Sequence, residues 1–290
     1  MELIVQTVVN GILIGGILIT IAVGFSLAFG VMDIVDFAVG EWVMLGAFTA
    51  FWLNFYWHVD PLLLLPVNML IFGLVGYVLQ PVLQKVISIK HRSAALMALV
   101  FTFGLSTLFR GSALTLWGFN SRNLTTFLSS KSVTILGITL PALRVSATLF
   151  AIIVTLLFMV FLYKTKTGIA IRAAAENRPV AGLMGIDSNR ISRLVYAIYA
   201  ALTGMSGIFI GLIFSVTADM GIKYTAFAFF VVVAGGLGSF SGAIAAGLLL
   251  GLIASFVTVY LGGSYVFLVL FFILYLILVF LPKGILGKGW

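Results

Sequence analysis

Residues 225–261 read TAFAFFVVVAGGLGSFSGAIAAGLLLGLIASFVTVYL, a run with no charged residue. A helix needs about 20 apolar residues to cross a bilayer. The run is therefore too long for one untilted span and short for two. Gly235, Gly236, Gly238, Ser239, Ser241 and Gly242 lie in its middle. It reads as a broken pair of segments, roughly 225–234 and 241–261, joined by irregular backbone. Such backbone is tolerated at membrane depth only where it is buried in protein or faces a watery cavity.

The rest of the chain has the same character. Of 290 residues, 62% are hydrophobic and 8% are charged, 16 basic and 8 acidic. That is too little charge to cover the surface of a soluble protein of this size. A soluble enzyme, a nucleic-acid-binding module and a disordered scaffold are excluded as main readings. Further apolar stretches fall at 3–29, 37–57, 62–84, 94–117, 143–163, 194–216 and 264–281. Runs such as Leu62 to Leu65 and Phe229 to Val233 are apolar all round, without the alternation of a β-barrel. The expected fold is all-α: one polytopic transmembrane bundle over residues 1–290, with about eight spans plus broken or short segments. The first stretch is too long for the apolar region of a signal peptide and reads as a mature span.

Basic residues orient the chain, because cytoplasmic loops are enriched in Lys and Arg. Lys85, Lys90 and Arg92 occupy one loop. Lys164, Lys166, Arg172, Arg178, Arg190 and Arg193 occupy another, and Lys283 and Lys288 the C-terminus. These predict a cytoplasmic C-terminus, an external loop at 118–142 and an external N-terminus. The formal charge of +8 is thus a topology signal and not a nucleic-acid signal.

Three constellations stand out. In the first, Asp33, Asp36, Phe37, Gly40 and Glu41 lie between two apolar runs. Asp33 and Asp36 fit a cytoplasmic turn with Asp36 as an N-cap, and they fit equally a broken helix lining a solute path. Glu41, one turn into the next helix, suits the positive end of the helix dipole. The second is the break itself: Gly235, Gly236, Gly238 and Ser239 line a path or pack helices, while Ala243, Gly247 and Gly251 form a small-residue face for close contact. The third is the polar segment 164–193. Ala-rich 169–176 favours helix, and Arg172 and Glu176 are spaced to pair. Asn177, Arg178 and Pro179 open a second short helix, with Gly185 at its C′ position. Leu183, Met184 and Ile186 then form an exposed apolar tip, which fits a docking partner or a helix lying on the membrane surface.

Arg110 lies inside the 94–117 span. It pairs with a neighbouring carboxylate, snorkels to the interface, or grips a solute carboxylate. No Cys is present, and His58 and His91 are far apart, so no thiolate or His-cluster metal site is expected. Phosphate-loop, zinc-protease and serine-hydrolase motifs are absent from the sequence.

Several segments resemble one family in order along the chain. Gly24 to Val31, Ile34 to Glu41 and Met44 to Ala47 are similar to the first signature of branched-chain amino acid ABC permeases. Gly168 to Ile186 resembles their cytoplasmic loop, Val233 to Ser239 with Gly242, Ala243 and Gly247 to Gly251 their late motif, and Leu281 to Gly287 their C-terminal motif. The resemblance implies an importer subunit in the bacterial inner membrane that catalyses no bond chemistry and holds no cofactor. It implies a second related permease, a periplasmic solute-binding protein and two cytoplasmic ATPases that bind the ATP. Arg172, Glu176, Asn177, Arg178, Leu183, Met184, Gly185 and Ile186 would then form the ATPase-coupling surface. The family's Asn and His are Asp36 and Val39 here, and a late Glu is Ala254. Relatives carry urea, short amides or aromatic carboxylates, so the solute stays open beside branched-chain amino acids. An ion-coupled carrier working alone, using Glu41 and Arg110, and a purely structural membrane protein are the other readings.

Overall fold

A computed structural model describes residues 2–87, 93–135 and 138–287. The expectations placed on Lys90, His91, Arg92 and Lys288 fall outside the described residues. The helices are α1 (Glu2–Met32), α2 (Val39–Trp57), α3 (Leu65–Ile87), α4 (Ala94–Trp117), α5 (Ala142–Lys164), α6 (Lys166–Glu176) and α7 (Arg178–Leu183), followed by α8 (Ser188–Ile213), α9 (Met220–Gly235), α10 (Phe240–Tyr260) and α11 (Val266–Phe280). The helical bundle expected from the sequence is the fold observed. One addition is a small antiparallel hairpin, β1 (Ser132–Ile135) with β2 (Ile138–Pro141), in the 118–142 loop.

Among the described residues, seven helical stretches are long and apolar enough to cross a membrane, and they match seven of the eight expected full spans. The eighth, α2, is 19 residues long but carries Glu41 and Asn54, which lower its hydropathy. The 225–261 stretch divides at its glycines, as expected, between α9 and a full-length α10; α9 is short, 16 residues, and starts before the expected segment, at Met220. Gly236 and Gly238 take positive φ between them, at +104° and +77°, where a side chain would be strained.

Helices α1 and α8 form the buried centre, with α2, α3, α5, α9 and α10 packed around them. Lipid gives no hydrophobic drive between helices, so close backbone approach must hold them. The glycines supply it. A Cβ on Gly11 would stand 2.7 Å from Leu252 Cα, and one on Gly15 2.9 Å from the Gly247 carbonyl, which joins α1 to α10. The predicted small-residue face of α10 is that contact. Between α2 and α8, a Cβ on Gly46 would overlap the carbonyl of Gly204, and one on Gly207 that of Val43. The Asn68 amide of α3 closes this crossing by donating to the carbonyls of Gly46 (2.9 Å) and Gly204 (3.3 Å).

Gly207→Ala should therefore overpack the α2–α8 crossing and destabilise the protein by about 1–3 kcal/mol. Gly104 of α4 has open space where a Cβ would stand, with nothing within 4 Å, and should tolerate Ala without loss. Thermal unfolding in detergent, read by near-UV circular dichroism, compares the two.

Candidate functional site

The first constellation folds into a buried carboxylate site. Helix α1 ends at Met32, and Asp33 turns the chain with φ +54° while its N–H donates to the Phe29 carbonyl at 2.8 Å. Asp33 is exposed. Asp36 is 1% exposed. It accepts from the Ala38 N–H at 2.8 Å and from the Tyr196 hydroxyl of α8 at 2.9 Å. The N-cap of α2 is Ala38, so Asp36 holds the turn before the helix instead of capping it. Tyr199 Oη and Trp42 Nε1 flank the same carboxylate and complete no hydrogen bond of their own.

One turn further on, Glu41 is also 1% exposed. It packs against Gly221 and is flanked by Ser106 of α4, and its Oε2 lies 3.4 Å from the Thr225 hydroxyl of α9. That hydroxyl accepts from the Gly40 N–H at 3.0 Å. Gly40 is required here, because a Cβ would overlap the Gly221 carbonyl. Phe37 packs against Phe229, with ring centroids 5.0 Å apart and the rings tilted by 35°.

Arg110 has the paired role among its three readings. Its guanidinium bonds Asp219, at the N-cap of α9, at 2.7 and 2.8 Å. Arg110 is one turn beyond Ser106 on α4, and Asp219 is just before Gly221 on α9. The pair is 40% and 47% exposed, on a helix whose outward residues are otherwise largely apolar, such as Phe103 and Leu108. Half-exposed charges at the depth of an apolar span are costly against hydrocarbon. This face is therefore suited to a watery cavity or to a covering protein.

The structure does not bring Gly235, Gly236, Gly238 and Ser239 to this carboxylate site. Gly235 packs on Gly242, and Gly238 lies against Gly30. The Ser239 hydroxyl caps α10 by accepting from the Gly242 N–H at 3.1 Å. Gly236 meets Lys283 and Gly287. The N–H groups of Ile285 and Leu286 donate to the carbonyls of Ala234 (2.8 Å) and Gly235 (3.1 Å), so the C-terminal segment caps α9. Gly238 does share a crevice of about 420 Å³ with Asp33, Ala174 and Arg178. That crevice joins the end of α1 to the polar segment.

The polar segment is two short helices with a locked tip. Asn177 caps α7 by accepting from the Val180 N–H at 3.1 Å. Gly185, with φ +84°, ends it. The Ile186 N–H bonds the Ala181 carbonyl and the Gly185 N–H that of Gly182, the paired closure of a Schellman turn. Leu183 and Met184 are 87% and 79% exposed. Two details differ from the sequence reading. Ile186 is half-buried, because it packs back against the core behind the turn. Arg172 does not pair with exposed Glu176; it lies over the Tyr163 ring at 4.6 Å. Arg178 is half-buried and donates to the Ser192 hydroxyl of α8, and its burial lowers the guanidinium pKa.

Tyr196, Tyr199, Thr225 and Asp219 are the site residues that sequence reasoning missed. The scarcity of charge that singled out Arg110 could have found Asp219, one of only eight acids. The tyrosines and Thr225 carry no such signal.

A membrane bundle with buried carboxylates, a helix break and an exposed apolar tip fits a transport permease. Residues 7–279 match the family described as the branched-chain amino acid transport system permease component, and the chain belongs to that family. It is a transport component and not an enzyme. It is 29% identical to the high-affinity branched-chain amino acid transport system permease protein BraD of Pseudomonas aeruginosa, over 98% of this chain and 95% of the relative. It is 27% identical to the corresponding LivH of Escherichia coli, over the same shares. It is 26% identical to the probable permease LivH of Methanocaldococcus jannaschii, over 97% and 92%. No solved structure matches the chain.

Asp36→Ala would leave the Tyr196 hydroxyl and the Ala38 N–H buried and unpaired. The expected loss is about 1–3 kcal/mol of stability for each unsatisfied group. Asp36→Asn, which keeps an acceptor oxygen, should recover much of it, as read by detergent-solubilised melting curves.

Proposed function

We propose that the chain is the membrane-spanning subunit of an ATP-driven importer for branched-chain or related amino acids. A second related permease completes the membrane part, a periplasmic binding protein delivers solute, and two cytoplasmic ATPases bind at α6 and α7. The observation that carries the coupling assignment is the tip at Leu183 and Met184. A Schellman turn fixes two exposed apolar side chains outward, and burying them on a partner is favourable. Arg178 ties that tip to α8 through Ser192, and Ala174 and Ala175 line the crevice at the end of α1. Movement of docked ATPases would thereby reach the two central helices. This reading puts the N-terminus outside and the C-terminus in the cytoplasm of an inner membrane.

The solute path is assigned to the polar face of Glu41, Thr225, Arg110 and Asp219, with Asp36 and Phe37 behind it. Asp33 and the 235–239 break belong to the cytoplasmic exit of the same path. The second permease covers this face, which explains how charged side chains stand half-exposed at membrane depth.

Two experiments test these assignments. Leu183→Asp combined with Met184→Asp should reduce ATPase recovery in co-purification at least tenfold while the permease remains membrane-inserted. Undiminished recovery rejects the docking surface. For the path, Arg110→Ala and Asp219→Ala should each lower uptake of radiolabelled leucine by tenfold or more in reconstituted complex. The double variant should be no worse than the single ones, because paired residues are non-additive. Urea and benzoate, run in parallel, separate the solute classes, and ATP-independent flux driven by an ion gradient would sink the importer reading.

A further inference from the structure

A cavity of about 370 Å³ lies between α1, α8, α9, α10 and α11. None of the path residues lines it. It reaches α1 between Asn10 and Leu18, whereas α6 and α7 meet α1 near Phe29 to Asp33, so it belongs to the opposite part of the bundle. Its size falls within the range of small-molecule sites, about 300–1,000 Å³.

The walls are apolar, with Ile14, Ile17, Leu18, Phe227 and Phe267 among them. Two cations line it, Arg144 at the start of α5 and Lys223 near the start of α9, and among the described residues no Asp or Glu does. The contacts of both cations are neutral. Arg144 donates to Asn10 Oδ1 at 3.2 Å, and the Lys223 ammonium lies over the Phe214 ring at 5.5 Å. Phe214 also lines an adjoining recess together with Arg144, so the two cations flank the same end of the cavity. Two of the hydroxyls there are already used within the protein: Ser255 donates to the Thr7 carbonyl at 2.8 Å and Thr258 to the Ala254 carbonyl at 2.6 Å.

We propose that this cavity binds an aliphatic chain with an anionic headgroup. The chain lies among the walls near Ile17 and Phe267, and the headgroup meets Arg144 and Lys223. An amino acid is a poor occupant, because its ammonium would sit beside two cations with no carboxylate to answer it, and like charges repel. A membrane phospholipid and a free fatty acid share the anionic-headed chain, and the two sources differ in headgroup size.

Full-length protein in non-ionic detergent is titrated with phosphatidylglycerol, phosphatidylcholine, oleate and leucine, and bound molecules are counted by native mass spectrometry. Phosphatidylglycerol or oleate should be retained more tightly than phosphatidylcholine. Lys223→Gln should weaken that retention about fivefold, and Arg144→Gln with Lys223→Gln about 25-fold, from the attraction of each cation for an anionic lipid. Lys223 is exposed, so its variant keeps the fold and tests the site even where the double variant does not. Retention of phosphatidylglycerol alone identifies a membrane lipid, and of oleate alone a fatty acid; either supports the assignment. Unchanged binding in both variants, equal retention of phosphatidylcholine, or displacement by leucine overturns it.

Discussion

Backbone lies on backbone where the helices of this bundle cross. Gly46 meets Gly204 between α2 and α8, Gly15 meets Gly251 between α1 and α10, and Gly40 meets Gly221 between α2 and α9. In lipid, packing takes over the work that the hydrophobic effect does in water, and packing is densest where no side chain intervenes. The same approach brings carbonyls of two helices within reach of one amide, so that Asn68 bonds both sides of the α2–α8 crossing. Glu41 lies directly beside the Gly40–Gly221 crossing.

The carboxylates are a consequence. Asp36 and Glu41 are both 1% exposed, and a buried charge persists only where hydrogen bonds or opposite charges meet it. Asp36 is met by the Ala38 N–H and Tyr196, and Glu41 by the Thr225 hydroxyl. Arg110 and Asp219 answer each other directly. These groups occupy the turn before α2, α2 itself, α4 and the start of α9, and α8 supports them from behind. A polar face assembled from separate helices shifts when the helices shift, which suits the transport function of the family.

The end of the bundle carrying α6 and α7 is wired differently. The C-terminal segment donates its N–H groups to the last carbonyls of α9, and Gly284, with φ +82°, lets it lie directly on Gly236. Glycines that the sequence offers to a solute path or to packing make close backbone contacts here. The reason is geometric. A helix end leaves carbonyls unpaired, and the C-terminal segment is the chain that reaches them.

Much of the fold was legible because membranes impose few solutions. Apolar run lengths fixed the spans, the glycine cluster in 225–261 fixed the division into α9 and α10, and Asn177, Pro179 and Gly185 fixed α7 and its stop. These are local properties of consecutive residues. Charge scarcity likewise marks Asp36, Glu41 and Arg110 in the sequence. Tertiary structure alone decided that Arg110 meets Asp219, that Tyr196 meets Asp36, that Ile186 turns inward and that Arg172 lies on Tyr163 instead of pairing with Glu176. Each of these depends on how two elements distant in sequence cross. A helical period records which side of a helix is apolar, but it holds no record of the residue that a neighbouring helix will place against it.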